Sequence, residues 1–224
     1  MDRQIEKAIV AALEQFEKIT GKSIAEFEDK VNSVFESDKG FMDKVADLDA
    51  TFDDEPALEN LREVFFDLLM VNFFSEDVHK LADDYLETPE WEEIENETID
   101  RGTELLNVLL YIQECEDEDI QPDLEDFLKE FLLVDEDEFQ DEHRIYEEMI
   151  SNQILMESSI EEISKVAATL PEDSELVDLF YPIMSFFFET NPEEDDVETV
   201  VIYSDDAAFD APVYSLLIAF NEAD

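Results

Sequence analysis

Residues 114–142 read ECEDEDIQPDLEDFLKEFLLVDEDEFQDE, and the fold class turns on how this stretch is understood. Fifteen of its residues are Asp or Glu against one base, Lys129, yet Leu124, Phe127, Leu128, Phe131 and Leu132 recur within it at helical spacing. A disordered acidic tail has no apolar face, because its composition cannot bury enough surface to offset the entropy of ordering. Here the carboxylates share the chain with a stripe that a helix can bury, so the pattern predicts folded elements holding acids in fixed places. Pro122 opens the helix of this stretch, and Phe139, Tyr146, Met149, Ile150 and Ile154 outline another after the run Asp135 to Glu138.

Toward the N-terminus the same period continues. Thr88 as cap and Pro89 at the first helical position start a helix through Trp91, Ile94, Leu105, Leu109 and Ile112 that fades after Cys115. A short helix near 76–86 precedes it, and Pro56 opens a buried helix over 56–74 with Leu58, Leu61, Phe65, Leu68 and Leu69 inside. Ile5, Ile9, Leu13 and Phe16 make the stripe of a first helix that Gly21 can end in a left-handed cap. Ser23 and Glu26 have the spacing of a capping box for a second helix to about Ser37.

Toward the C-terminus, Ser159 and Glu162 repeat the capping-box spacing before a helix ending near Leu170. Pro171 starts an apolar segment, Leu176 to Phe188, with a kink expected at Pro182. The β-branched run Val197 to Tyr203 and the apolar run Val213 to Phe220 then suggest a β-hairpin, a terminal helix from Pro212 being the alternative. The expectation is a mainly α chain, a bundle of about eight helices with a C-terminal β-hairpin.

Charge divides the chain. Residues 1–50 hold 12 acids and 7 bases, a net of -5, whereas residues 51–224 hold 53 acids and 6 bases, a net of -47. One organisation is therefore a mildly charged N-terminal helical hairpin or subdomain, 1–50, ending in a loop near Thr51 to Pro56, and a highly acidic body, 51–224; one domain over 1–224 is the other. With Lys7, Lys18 and Lys22, the first segment reads either as a first pair of core helices or as a dimerisation or docking element, the latter allowing a homodimer.

The net charge of -52 in 224 residues far exceeds what solubility needs and must destabilise the compact state by self-repulsion. It matches the charge on about 26 base pairs of DNA, so direct binding to nucleic acid is not expected, whereas binding to proteins that hold nucleic acid is. A single cysteine excludes an intrachain disulfide. The first residues, MDRQIEKAIVAALEQFE, lack a signal peptide's basic and apolar regions, and the most apolar runs are shorter than a membrane span, so a cytoplasmic location is expected, that of a host cell if the source is viral.

Motifs for chemistry fail at their most demanding positions. With three glycines, at 21, 40 and 102, neither an EF-hand loop, a P-loop, GxGxxG nor GxSxG can be placed. Glu76 and His79 form one Glu-x-x-His pair of the kind that di-iron helical bundles use, but His143 has Gln140 where the second glutamate belongs. Glu114 and Glu116 beside Cys115 raise a thiol pKa, the opposite of activation. No catalytic residue, metal site or cofactor is assigned, and a non-enzyme is expected.

What remains is the acid itself. Carboxylates at i, i+3 and i+4 on a helix lie about 5–6 Å apart, comparable with phosphates along a strand, and a 20-residue helix spans about 30 Å, roughly nine base pairs. The candidate surface comprises Asp117, Glu118, Asp119, Asp123, Glu125, Asp126, Asp135, Glu136, Asp137, Glu138, Asp141 and Glu142, with Glu193, Glu194, Asp195 and Asp196 as a second run. In composition the chain is similar to the phage-type anti-restriction and other DNA-mimic proteins, a class of small, mostly helical and very acidic inhibitors. The resemblance implies a partner with a basic nucleic-acid groove, such as a restriction enzyme, nuclease or RNA polymerase. Other readings are an immunity protein or antitoxin covering a basic toxin, a halophilic protein whose charge holds water and salt, and an acidic chaperone of basic proteins.

Overall fold

A computed structural model describes residues 1–76, 85, 88–130 and 144–222. Among them the regular structure is entirely helical: twelve α-helices and two 3₁₀ turns. The helix expected near 76–86, the Glu76/His79 pairing, His143 and the candidate acids Asp135, Glu136, Asp137, Glu138, Asp141 and Glu142 fall wholly or partly outside the described residues.

α1 (Arg3–Thr20) forms for the reasons its sequence shows. The Asp2 carboxylate caps it by accepting from Gln4 N at 2.8 Å, and Gly21, at φ 68°, ends it by donating to Glu17 O at 2.8 Å. Its stripe Ile5, Ala8, Ile9, Ala12, Leu13 and Phe16 is buried, and the small Ala8 and Ala12 let the last helix of the chain, α12 (Ala207–Asn221), lie along it. Residues 213, 216, 217 and 220 supply α12's buried face, which is helical period and not strand period.

The C-terminal β-hairpin is therefore replaced by two helices, α11 (Glu194–Tyr203) and α12. β-branched residues fit the strand pattern over 197–203, but the Asp196 carboxylate accepts from Glu193 N at 2.9 Å and caps a helix there. Packing then overrides propensity: Val200 is buried, Ile202 is 73% exposed, and the inner and outer positions follow a helical turn.

α2 (Ala25–Phe35) begins one residue later than the Ser23/Glu26 box requires. Its N-cap is Ile24, without a side-chain cap bond. α3 (Phe41–Asp53) follows, so the charge change at residue 51 lies inside a helix and not in a loop. Phe27, Phe52 and Phe65 meet edge to face with centroids 4.9–6.3 Å apart, joining α2 and α3 to α4 (Arg62–Glu76). Pro56 opens a 3₁₀ turn (Pro56–Leu61) ahead of α4, whose residues 64–72 are buried on every side, as a central helix requires.

The helix expected from Pro89 to beyond Leu109 is two. α5 (Pro89–Thr98) has the anticipated Thr88 cap, accepting from Trp91 N at 3.2 Å, and α6 (Leu105–Glu118) starts afresh after Gly102, whose φ of 83° no continuous helix can hold. α7 (Leu124–Glu130), α8 (Glu147–Ser151), a second 3₁₀ turn (Gln153–Glu157), α9 (Ile160–Ala167) and α10 (Phe180–Phe188) complete the order. The expected Ser159 cap of α9 is present, accepting from Glu162 N at 3.3 Å. Pro182 causes no mid-helix kink, because α10 begins at Phe180 and the proline sits in its first turn, where an N–H has no partner to lose. One cluster of buried apolar side chains extends from Ile5 to Phe220. Among the described residues no helix is long and apolar enough to cross a membrane.

Candidate functional site

The focal acids are displayed by a rigid corner between α6 and α7. α6 buries Leu105, Val108, Leu109, Tyr111, Ile112 and Cys115, which leaves Glu114, Glu116, Asp117 and Glu118 on the solvent side. It ends at Asp119, a non-glycine residue at φ 56°, and Ile120 N donates back to Cys115 O at 2.9 Å. The Tyr111 hydroxyl bonds both N and O of Asp123 at 3.1 Å, tying the connecting loop to the helix it leaves. Asp123 then caps α7, its Oδ1 accepting from Glu125 N at 2.9 Å and Asp126 N at 3.2 Å.

Within the described residues α7 is amphipathic as read; Phe131 and Leu132, the rest of the expected stripe, lie outside them. Leu124, Phe127 and Leu128 are buried, Phe127 lying 5.4 Å from the Tyr111 ring and 5.7 Å from that of Tyr146, while Asp123, Glu125 and Asp126 are exposed. Lys129 hydrogen-bonds Glu125 and holds its carboxyl below the usual range. The second run, Glu193 to Asp196, occupies the N-terminus of α11, fully outward, where the helix dipole favours anions.

The acids that close α6 and this second run meet at one end of the molecule. The Gln4 side-chain amide donates both to the Glu116 carboxylate and to Phe220 O, the latter at 3.2 Å, so the ends of α6 and α12 adjoin the start of α1. Asn221 Nδ2 donates to Thr190 O at 3.2 Å and Tyr214 Oη to Glu189 O at 3.3 Å, which brings 189–196 to the same place. Asp117, Glu118, Asp119 and Glu193 to Asp196 thus form an acidic pole around the C-terminus of α12, while Asp123, Glu125 and Asp126 stand on α7, which packs back along α6 through Phe127, Tyr111 and Tyr146. Glu189 and Glu222 belong to it as well; nothing in the sequence marks them, because their place depends on where the last helix packs.

Lys7 lies at this end, donating from Nζ to Glu222 O at 3.2 Å, whereas Arg62 and Arg101 are spent elsewhere. Arg62 pairs with Asp49, Asp53 and Glu59, and Arg101 bonds Asp49 through both terminal nitrogens, at 3.0 and 2.9 Å, and Glu63 through Nε at 3.0 Å while lying over the Phe66 ring. Arg101 thereby anchors a buried polar knot. In it Asp67, wholly buried, accepts from Thr103 N and Oγ1, and burial lifts its carboxyl well above the usual range. The knot fixes the α5–α6 turn. A cleft of about 420 Å³ lies at the turn between α11 and α12, with Asp178, Asp205, Asp206 and Asp210 along it. Asp210 is buried, accepts from Ser204 Oγ at 2.5 Å, and is pushed up to about 7 by desolvation. Among the described residues no group of three or more His, Cys, Asp or Glu is arranged to hold a metal ion.

So many like charges at one pole make stability depend on salt. The melting temperature is expected to rise by several degrees between about 0.01 and 0.15 M NaCl, as the screening length falls from about 30 to about 8 Å. A thermal melt that does not move with NaCl contradicts the self-repulsion argued for the pole.

Compared with family models, curated proteins and solved structures, the chain finds no match.

Proposed function

We propose that the chain is an acidic nucleic-acid mimic whose pole enters the basic groove of a DNA- or RNA-binding protein and blocks it, acting by binding and not by catalysis. The observation that carries this reading is the fixed display of the carboxylates. Asp119, Asp123 and Asp196 take part in helix ends and caps, and the side chains beneath them are buried, so the acids are held in place before binding. Pre-ordered charge costs less entropy on association than a floppy acidic tail, and its field steers a basic partner toward it.

The gathering of acids at one end also favours a second reading, neutralisation of a single basic toxin, for which one acidic face suffices. One experiment separates them. Immobilised protein is exposed to cell lysate and eluted with duplex DNA or with salt, and the bound proteins are identified by mass spectrometry. Mimicry predicts nucleic-acid-binding proteins released by duplex DNA and by rising NaCl. A toxin without a nucleic-acid groove, retained in the presence of DNA, supports the second reading, and the absence of any basic partner contradicts both.

A further inference from the structure

One cleft at the pole differs in kind from the carboxylates around it. It measures about 270 Å³, lies between the start of α9, the end of α10 and one face of α11, and has an apolar floor that includes Ile160, Val200 and Tyr214. That is below the roughly 300–1,000 Å³ of a drug-sized ligand site and suits one inserted side chain. Glu161, Glu189 and Asp196 stand around it. Glu161 is taken up by Lys165 at 2.9 Å and by the Tyr203 hydroxyl at 3.4 Å, whereas the Glu189 and Asp196 carboxylates accept from the uncharged backbone N–H groups of Asn191, at 3.0 Å, and Glu193, at 2.9 Å, and keep their charge. Both line the cleft whose floor Tyr214 supplies, and Tyr214 Oη donates to Glu189 O at 3.3 Å. Glu189 also follows the last turn of α10, where the dipole favours a cation. On the adjoining shoulder Ile202 is 73% and Tyr203 37% exposed.

We propose that this cleft receives an arginine side chain of the basic partner, its aliphatic stem on Ile160, Val200 and Tyr214 and its guanidinium between Glu189 and Asp196, with Ile202 and Tyr203 forming the apolar shoulder of the same contact. The inference rests on the reading that the pole binds a basic protein, and says where the contact is anchored. Exposed carboxylates supply speed and orientation, whereas buried anchors supply most of the affinity of an interface. Arginine fits better than lysine because its planar, weakly hydrated cation lies against tyrosine rings and meets two carboxylates at once.

The test uses the full chain with 13C-labelled isoleucine methyls, titrated with the blocked tripeptide acetyl-Gly-Arg-Gly-amide in about 0.15 M NaCl, where exposed charges are screened beyond about 8 Å. Saturable shifts are expected at Ile160 and Ile202 and not at Ile99 or Ile120, which are exposed outside the cleft. The citrulline counterpart, equal in shape and neutral, is expected to give none. Thr199→Trp, which fills the cleft, is expected to abolish the response, and Asp196→Asn to weaken it about two- to fivefold. The inference is overturned by equal shifts at Ile120 and Ile160, by equal binding of citrulline, or by an unchanged response in the two variants. Failure here with intact capture of nucleic-acid-binding proteins removes the cleft and leaves mimicry standing; peptide binding without any capture does the reverse.

Discussion

Gly102→Ala is expected to destabilise the fold by about 3 kcal/mol, the sum of a left-handed backbone penalty of about 1–2 kcal/mol and a comparable overpacking cost. Gly102 sits at φ 83°, and a Cβ added there meets Asp67 Oδ1 at 2.6 Å and the Phe66 ring at 3.3 Å. Neither neighbour can retreat. Asp67 is pinned by Thr103 N and Oγ1, and Phe66 is buried beneath the Arg101 guanidinium. For a chain of this length the melting temperature is expected to fall by roughly 6–12 °C. Gly21→Ala is the internal control: its φ is 68°, nothing lies within 4 Å of an added Cβ, and only the backbone penalty applies. Equal losses in the two variants contradict the crowding described around Asp67.

Asp210→Asn is expected to stabilise the protein more at pH 8 than at pH 5. In the fold this carboxyl is lifted to about 7 from its ordinary 3.8, first by desolvation, so the folded state binds the proton more tightly than the unfolded state. Its contribution to stability is therefore fully present below about 4, declines as pH rises, and is lost above about 7. Asparagine is neutral at every pH and can still pair with Ser204, so it removes the cost of a buried charge. The gain at pH 8 is expected to be about 2–4 kcal/mol, given about 1.4 kcal/mol per pKa unit. Thermal melts of both proteins from pH 5 to 8 check the sign, and a difference that does not grow with pH contradicts it.

Much of the helical frame was legible in the sequence because it depends on local signals. The Ile5 to Phe16 stripe with Gly21, the Thr88-Pro89 start and the Ser159 cap each read correctly, and so did the burial of Leu124, Phe127 and Leu128. Errors arose where distant contacts decide. Val197 to Tyr203 has strand-like composition, and only its capped N-terminus and packing over α9 and α12 make it helical. The break at Gly102 depends on Glu63 and Asp67, 39 and 36 residues away from their partners Gly102 and Thr103. The outward placement of Glu125 and Asp126 followed from helical period, whereas Glu193 to Asp196 were legible only as a second acidic run ahead of an expected strand. The convergence of Asp117 to Asp119 with Glu193 to Asp196 at one pole was not legible, since it is set by how Gln4 and Asn221 tie the chain's first and last helices to them.

The most direct measurement is displacement of a labelled DNA duplex from a basic DNA-binding protein that the chain captures, read by fluorescence anisotropy across a salt series. The native protein is expected to displace the duplex, with a potency that falls steeply as NaCl rises. Reversal of Asp117, Glu118, Asp119, Glu193, Glu194 and Asp195 to lysine is expected to weaken displacement by at least about a hundredfold while the helical fold survives. Displacement by the reversed protein as strong as by the native one, or displacement indifferent to salt, would contradict the claim that the acidic pole stands in for nucleic acid.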